Sequence, residues 1–427
     1  MKKSKFVLGM VLTLALGGAS VSCQNETTGD DPTDVPSGLV DNDPTLDEVP
    51  TVADDDLYQN NFGEDRIPNQ WENYGVGDPF VYRWNGTYYL YVSTKDGSLG
   101  VKAWKSHDLI NWTPCTGEGL EEGYVSQDPT TVTAYAPEVF YKNGKFYMIQ
   151  SPAGSGHYIY ESDSPEGPFV KISNQLDTSI DGSFFYGNDE NVYLLKASNQ
   201  GIVGNQLTDD LTETGSKNVR FSSTSLGSWT EGPYLLSRDG IYYMTFTGVH
   251  VVSPAYRVSY AYSTQEDFYN NNAFTFGDNI ILNTSDDYQG LGHSSTVLGP
   301  NMDSYYIAYH NLISSGGPIR GFNIARLEFN GTEMTANHPE LNNNIAPELA
   351  DFNSYDGVEH FEAGEKFMLS SSASGDAFTV EWNITGTGAE LVFSYVDDSN
   401  YAYATIDNDV ITINQVTNGE TKEVTKY

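Results

Sequence analysis

A chain of 427 residues with 21 Lys and Arg against 58 Asp and Glu carries a net charge of −37. Such a surface repels phosphate backbones and anionic lipid headgroups, which argues against nucleic acid and bare membrane as partners; a neutral sugar polymer meets no such barrier. The length allows one large domain with a smaller one, and 30 Tyr and 20 Phe supply a substantial core.

Residues 1–22 read as a signal peptide. Lys2, Lys3 and Lys5 precede the apolar run FVLGMVLTLALGG, which is too short to span a bilayer as a helix. Small residues lead to Cys23, and the stretch ASVSC resembles a bacterial lipoprotein box, whose cysteine is lipidated after cleavage. An ordinary secretory signal with an incidental cysteine is the competing reading. Residues 23–56 hold 11 acidic side chains and no basic or aromatic one. They bury too little apolar surface to order themselves and are expected to be a lipid-anchored acidic linker. With Cys23 used as the anchor, only Cys115 remains, so no disulfide forms within the mature chain. The expected location is the bacterial cell envelope, on the outer membrane, as a monomer.

Residues 57–350 repeat one shape. TEGPYLLSRDGIYYMTF, from Thr230, sets a polar head before an apolar strand, an Arg238-Asp239-Gly240 turn and a second strand with adjacent aromatics. The same plan recurs in GDPFVYRWNGTYYLYVS from Gly77, APEVFYKNGKFYMIQSP from Ala136, IDGSFFYGNDENVYLLKA from Ile180 and GHSSTVLGPNMDSYYIAYH from Gly292. The polar heads are Asp78, Glu138, Asp181, Glu231 and His293. Further strands lie between these hairpins, and almost nothing has helical period. Such units are expected to close radially as a five-bladed β-propeller, an all-β architecture that leaves only short, protected edges. The outer strands of the third unit, around GIVGNQLTDDLTE, carry the weakest signal. The Tyr pairs at 88–89, 242–243 and 305–306 are expected to pack between blades. The first strand of each blade lines the central channel, so heads at its start gather at one mouth.

Three heads, Asp78, Asp181 and Glu231, suit glycoside cleavage. Inverting hydrolysis needs a protonated acid at the leaving oxygen and a carboxylate that activates water on the other face, about 6.5–9.5 Å away. A third carboxylate nearby raises the acid's pKa by like-charge repulsion. In GDPFV, YAPEV, SIDGSFF, TEGPYL, GHSS and the blade-edge SHDLINW, the chain resembles glycoside hydrolase family 43 over roughly residues 75–329. These are five-bladed propellers that cut arabinose- and xylose-containing glycans with inversion. The resemblance implies Asp78 as general base, Glu231 as general acid and Asp181 as the residue that tunes the acid and orients substrate. It places His293 at the channel, facing a bound ion, often calcium, or ordered water, and Arg320 on the substrate. No cofactor is required. The third motif reads Asp181-Gly182 where the family has Asp-Pro, and Tyr135 stands where it has Trp.

Tyr135 and Trp229 flank motif residues and are candidates for stacking on a sugar or for plain packing. Glu138 is expected to bond at the pocket, and Arg320 is either a ligand or a structural arginine. His250 and His310 are expected to pack or bond locally. Residues 351–427 alternate apolar and polar positions with frequent turns, a β-sandwich pattern. SYVDDSNYAYATI resembles a strand pair of the lectin-like jelly rolls often joined to such hydrolases, and the domain reads as short and incomplete. The reading is therefore an inverting glycosidase, an α-L-arabinofuranosidase or β-xylosidase, acting on an oligo- or polysaccharide. The competing classes are a catalytically silent glycan-binding propeller and a purely structural surface protein.

Overall fold

A computed structural model describes residues 11–15, 57–130, 133–152, 156–176, 179–198, 201–211, 214–220, 230–269, 273–337, 344–351, 377–381, 384, 388–407 and 410–427. The described elements are all β-strands. Five antiparallel sheets follow one another along the chain, and each runs from its first strand outward. Their inner strands are Phe80–Trp84, Tyr135–Lys142, Ile180–Tyr186, Glu231–Arg238 and Gly292–Leu298. Each inner strand touches the next, and the last returns to the first. The ring is closed: a five-bladed β-propeller. The third blade is complete, with Gly201–Leu207 and Thr214–Arg220 as its outer strands.

Sequence dictates this locally through turns and alternation. Asn85-Gly86, Asn143-Gly144 and Asp239-Gly240 all have positive φ and connect paired strands through two-residue loops. That is type I′ geometry, which matches the twist of a hairpin and favours Asn, Asp and Gly. Neighbouring aromatics on a strand point to opposite faces. Tyr88 therefore packs between the fifth and first blades and Tyr89 between the first and second. Tyr242 and Tyr243 likewise divide between the two interfaces of the fourth blade. A separate apolar cluster fills each of the five blade interfaces. The double aromatic is thus the mark of a strand buried on both sides.

The chain entering the propeller seals the last blade to the first. Leu57–Tyr58 pairs with Asn344–Ile345, Phe62 bridges Phe322, and Gly75 runs parallel to Arg320. In the C-terminal region the described residues form one four-stranded meander, Glu390–Asp397, Asn400–Asp407, Val410–Thr417 and Glu420–Lys426. The strand Ala377–Glu381 pairs with Val11–Ala15, inside the expected leader, and Glu381 makes an ion pair with Arg83 of the first blade. Cys23, the linker and Trp229 lie outside the described residues.

Candidate active site

Every blade enters its inner strand through the same distortion. Asp78, Ala136, Asp181, Gly232 and His293 all have positive φ, between 44° and 56°. In the last four blades the pairing register slips at this point, so the strand bulges there. Left-handed backbone is costly for residues with a Cβ and persists where surroundings enforce it. Here the neighbouring blade does so. Asp78 N–H donates to His310 Nδ1 (3.1 Å), Ala136 to Ser93 Oγ (2.7 Å), Asp181 to Ser151 Oγ (3.2 Å) and His293 to Thr247 Oγ1 (2.9 Å). Gly232 N–H donates instead to the Asp181 carboxylate at 3.1 Å. The bulge turns these residues toward one mouth of the channel, as bulges near active sites do.

Aligned on the bulge, the polar heads are not all equivalent. Asp78, Asp181 and His293 are the bulged residues themselves, Glu231 comes one position before Gly232, and Glu138 two positions after Ala136. The shift separates their surroundings. Glu138 is buried, and its Oε2 accepts Phe184 N–H at 3.1 Å, tying the second blade to the third. Ser295, at the same offset in the fifth blade, accepts Val81 N–H at 3.0 Å. Glu138 therefore occupies a blade-stitching position, while Glu231 is partly exposed beside the bulge.

Asp78, Asp181, Glu231, His293 and Arg320 converge. Arg320 Nη1 donates to Asp78 Oδ1 at 2.7 Å, and Ser93 Oγ to Oδ2 at 2.5 Å. His293 Nδ1 lies 3.3 Å from Asp78 Oδ1 and 3.8 Å from Asp181 Oδ2. The Arg320 guanidinium rests on the Tyr74 ring, 4.3 Å from its centre, and Gly77 lies beneath it. A Cβ on Gly77 would come within 2.1 Å of the guanidinium carbon, so only glycine fits. Tyr135 is half-buried and close enough to Asp78 and Arg320 for both charges to act on its hydroxyl.

The carboxyls are driven apart electrostatically. Burial alone would raise Asp78, but Arg320, His293 and the Ser93 hydroxyl outweigh it and hold the group well below the usual carboxylate range. Glu231 is pushed well above its ordinary value, first by burial and then by the charge of Asp181. Asp181 is itself raised by burial, against the pull of His293. The surroundings thus favour the ionised form of Asp78 and the protonated form of Glu231.

Two partners were not apparent from sequence. Tyr256 OH donates to Glu231 Oε1 at 3.0 Å, and its ring stacks on His310 with centroids 5.8 Å apart. His310, expected to pack locally, instead accepts the Asp78 amide, and burial holds it well below the usual histidine range, in the neutral form. Its signal was present in outline: Ser93, Ser151, Thr247 and His310 each sit opposite the residue that precedes the bulge of their own blade. His250 is exposed, and its Nδ1 accepts Val252 N–H locally. Among the described residues no three His, Cys, Asp or Glu side chains form a metal-ligating group, and the His293 Nδ1 faces carboxylates.

Residues 73–334 match glycosyl hydrolases family 43. A xylan 1,3-β-xylosidase of a Vibrio species is 30% identical over 190 residues, 39% of this chain and 35% of that protein. A non-reducing end α-L-arabinofuranosidase of Bacteroides ovatus is 29% identical over 180 residues, 39% of this chain and 33% of its own. The chain thus matches about a third of the length of these relatives. The solved structure of a thermostable family-43 glycoside hydrolase is 26% identical and superposes with a TM-score of 0.55, over 64% of this chain and 96% of that one. With five blades, bulged inner strands and a carboxylate cluster at the channel mouth, this chain belongs to glycoside hydrolase family 43.

Proposed function

We propose that the protein is an inverting glycoside hydrolase that removes arabinose or xylose units from plant-type glycans. Glu231 protonates the glycosidic oxygen, and Asp78 takes a proton from the water that attacks the anomeric carbon from the opposite side. The reading rests on two carboxyls at one channel mouth in opposed surroundings, Asp78 bonded to the buried Arg320 and shifted down, Glu231 bonded to Tyr256 and shifted up by burial. Asp181 serves the acid twice, through its charge and by accepting Gly232 N–H, which fixes the backbone next to Glu231. Arg320 clamps the base and, with Tyr135, meets the sugar. Trp229 is proposed to stack on it. Glu138 is given a structural part, and His293 a place between the two aspartates in place of an ion-binding one.

Export as a lipoprotein anchored at Cys23 through the acidic linker fits the leader and the charge of the chain. We further propose a propeller over residues 57–350 and a separate C-terminal domain of lectin-like kind, a reading supported by the four-stranded meander of residues 390–426. A panel of aryl arabinofuranosides and xylosides tests the activity. Wild type should release phenol, and Glu231→Gln should lose about 10²–10⁴-fold in kcat with a poor leaving group, less with a dinitrophenol that needs no acid. Binding of arabinoxylan without product from any substrate would favour a silent glycan-holding propeller.

A further inference from the structure

A groove of about 600 Å³ opens between loops of the fourth and fifth blades. Its apolar lining comes from Val252, Pro254, Leu312 and Ile313, and its polar lining includes Gln289 and Ser314. None of its lining residues is ionisable. Three segments build it, and each continues into the catalytic cluster. Val252 and Pro254 precede Tyr256, whose N–H donates to Ser253 O (3.0 Å) and whose hydroxyl holds Glu231. Gln289 precedes His293, and its carbonyl accepts Leu312 N–H at 2.7 Å. Leu312 and Ile313 lie on the hairpin between His310 and Arg320, and Leu312 pairs with Arg320 across it.

The general acid must stand at the oxygen that departs, so the side of the site carrying Tyr256 and Glu231 is the side from which the leaving group exits. We propose that this groove is the leaving-group subsite and takes an uncharged sugar ring of the glycan main chain. This rests on the reading of Glu231 as the acid. Val252 and Ile313 are 40% and 54% exposed, apolar surface that the C–H face of a sugar ring covers. Gln289 and Ser314 supply hydrogen bonds to its hydroxyls. A sugar acid finds no cation among the lining residues, so the groove selects neutral chains over uronic-acid-bearing ones.

The test compares a neutral pentose tetrasaccharide with the matching pentosyl fluoride, which departs as fluoride and leaves the groove empty. Ile313→Glu and Val252→Glu place a charge at exposed positions where folding tolerates it. Each should raise KM for the tetrasaccharide about tenfold, equivalent to about 1.4 kcal/mol, and lower its kcat/KM relative to the fluoride by the same factor. Val170→Glu, on the outer edge of the second blade and 63% exposed, is the matched control and should change neither. An unchanged tetrasaccharide KM, or equal losses on both substrates, overturns the subsite. A wild-type protein that hydrolyses neither substrate overturns the glycosidase reading beneath it, and a wild type active on the fluoride alone, which departs without protonation, overturns the acid assignment and the subsite with it.

Discussion

Asp78 and Glu231 bring the same functional group to one cavity in surroundings that shift their pKa values in opposite directions, and their neighbours predict opposite responses to neutralisation. Asp78→Asn leaves the buried Arg320 guanidinium without its counter-charge, which costs about 3–5 kcal/mol when one partner of a buried pair is removed. Glu231→Gln replaces a carboxyl that is already protonated, so thermal stability should hold. Both variants should lose about 10²–10⁴-fold in kcat, and calorimetry beside kinetics separates them. Equal melting temperatures for both would contradict the electrostatics. The profile of kcat/KM against pH should be a bell, its acid limb set by Asp78 below the ordinary carboxyl range and its alkaline limb by Glu231 above it. The Tyr256 hydroxyl stabilises ionised Glu231. Tyr256→Phe should therefore move the alkaline limb to higher pH; a shift downward would remove Tyr256 from this role. The three acids were legible because each sits in a motif beside Pro or Gly at a strand entry. Tyr256 was not, since it reaches Glu231 from a loop 25 positions away that has no repeat to mark it.

The inner strand with its bulge is the element that makes the site. Its four-residue pattern, with a left-handed second position, is readable in Gly77-Asp78-Pro79-Phe80 and Glu231-Gly232-Pro233-Tyr234 once their shared backbone is known. Polarity alone misaligned Glu138 and Glu231, because a strand shows alternation but not where a bulge adds a residue. The corrected offset predicts that Glu138 stitches blades. Burial raises its carboxyl well above the ordinary range, so the folded state keeps the proton that the unfolded chain gives up. The stability it lends is full below the usual glutamate pKa and is lost as pH rises toward the raised one. Glu138→Gln retains an oxygen for Phe184 N–H and should flatten that alkaline decline in urea midpoints while leaving KM unaltered. A rise in KM with no change in the pH dependence would return Glu138 to the substrate.

At the scale of the whole molecule, five blade interfaces hold the inner strands in a ring, and the entering chain closes the last of them. Tyr58 is the bolt: its ring meets Phe62 edge-on at 5.8 Å, and its hydroxyl donates to Ile324 O at 3.1 Å. Tyr58→Ala should cost about 3–5 kcal/mol, the range for deleting a buried aromatic, read from urea unfolding; a loss below 1 kcal/mol would show that the ring closes without it. The five-fold plan was legible because turns and doubled aromatics repeat with the blades. This closing segment was not, for Leu57–Tyr58 pairs with a strand nearly three hundred residues later and has no counterpart in the other blades. The proposal that a water activated by Asp78 displaces a leaving group protonated by Glu231 in one step has a direct readout in the first anomer released. Proton NMR during the initial turnover of an aryl glycoside should show the anomer opposite to that of the substrate, before mutarotation. Initial release of the substrate's own anomer would contradict the assignment of both residues.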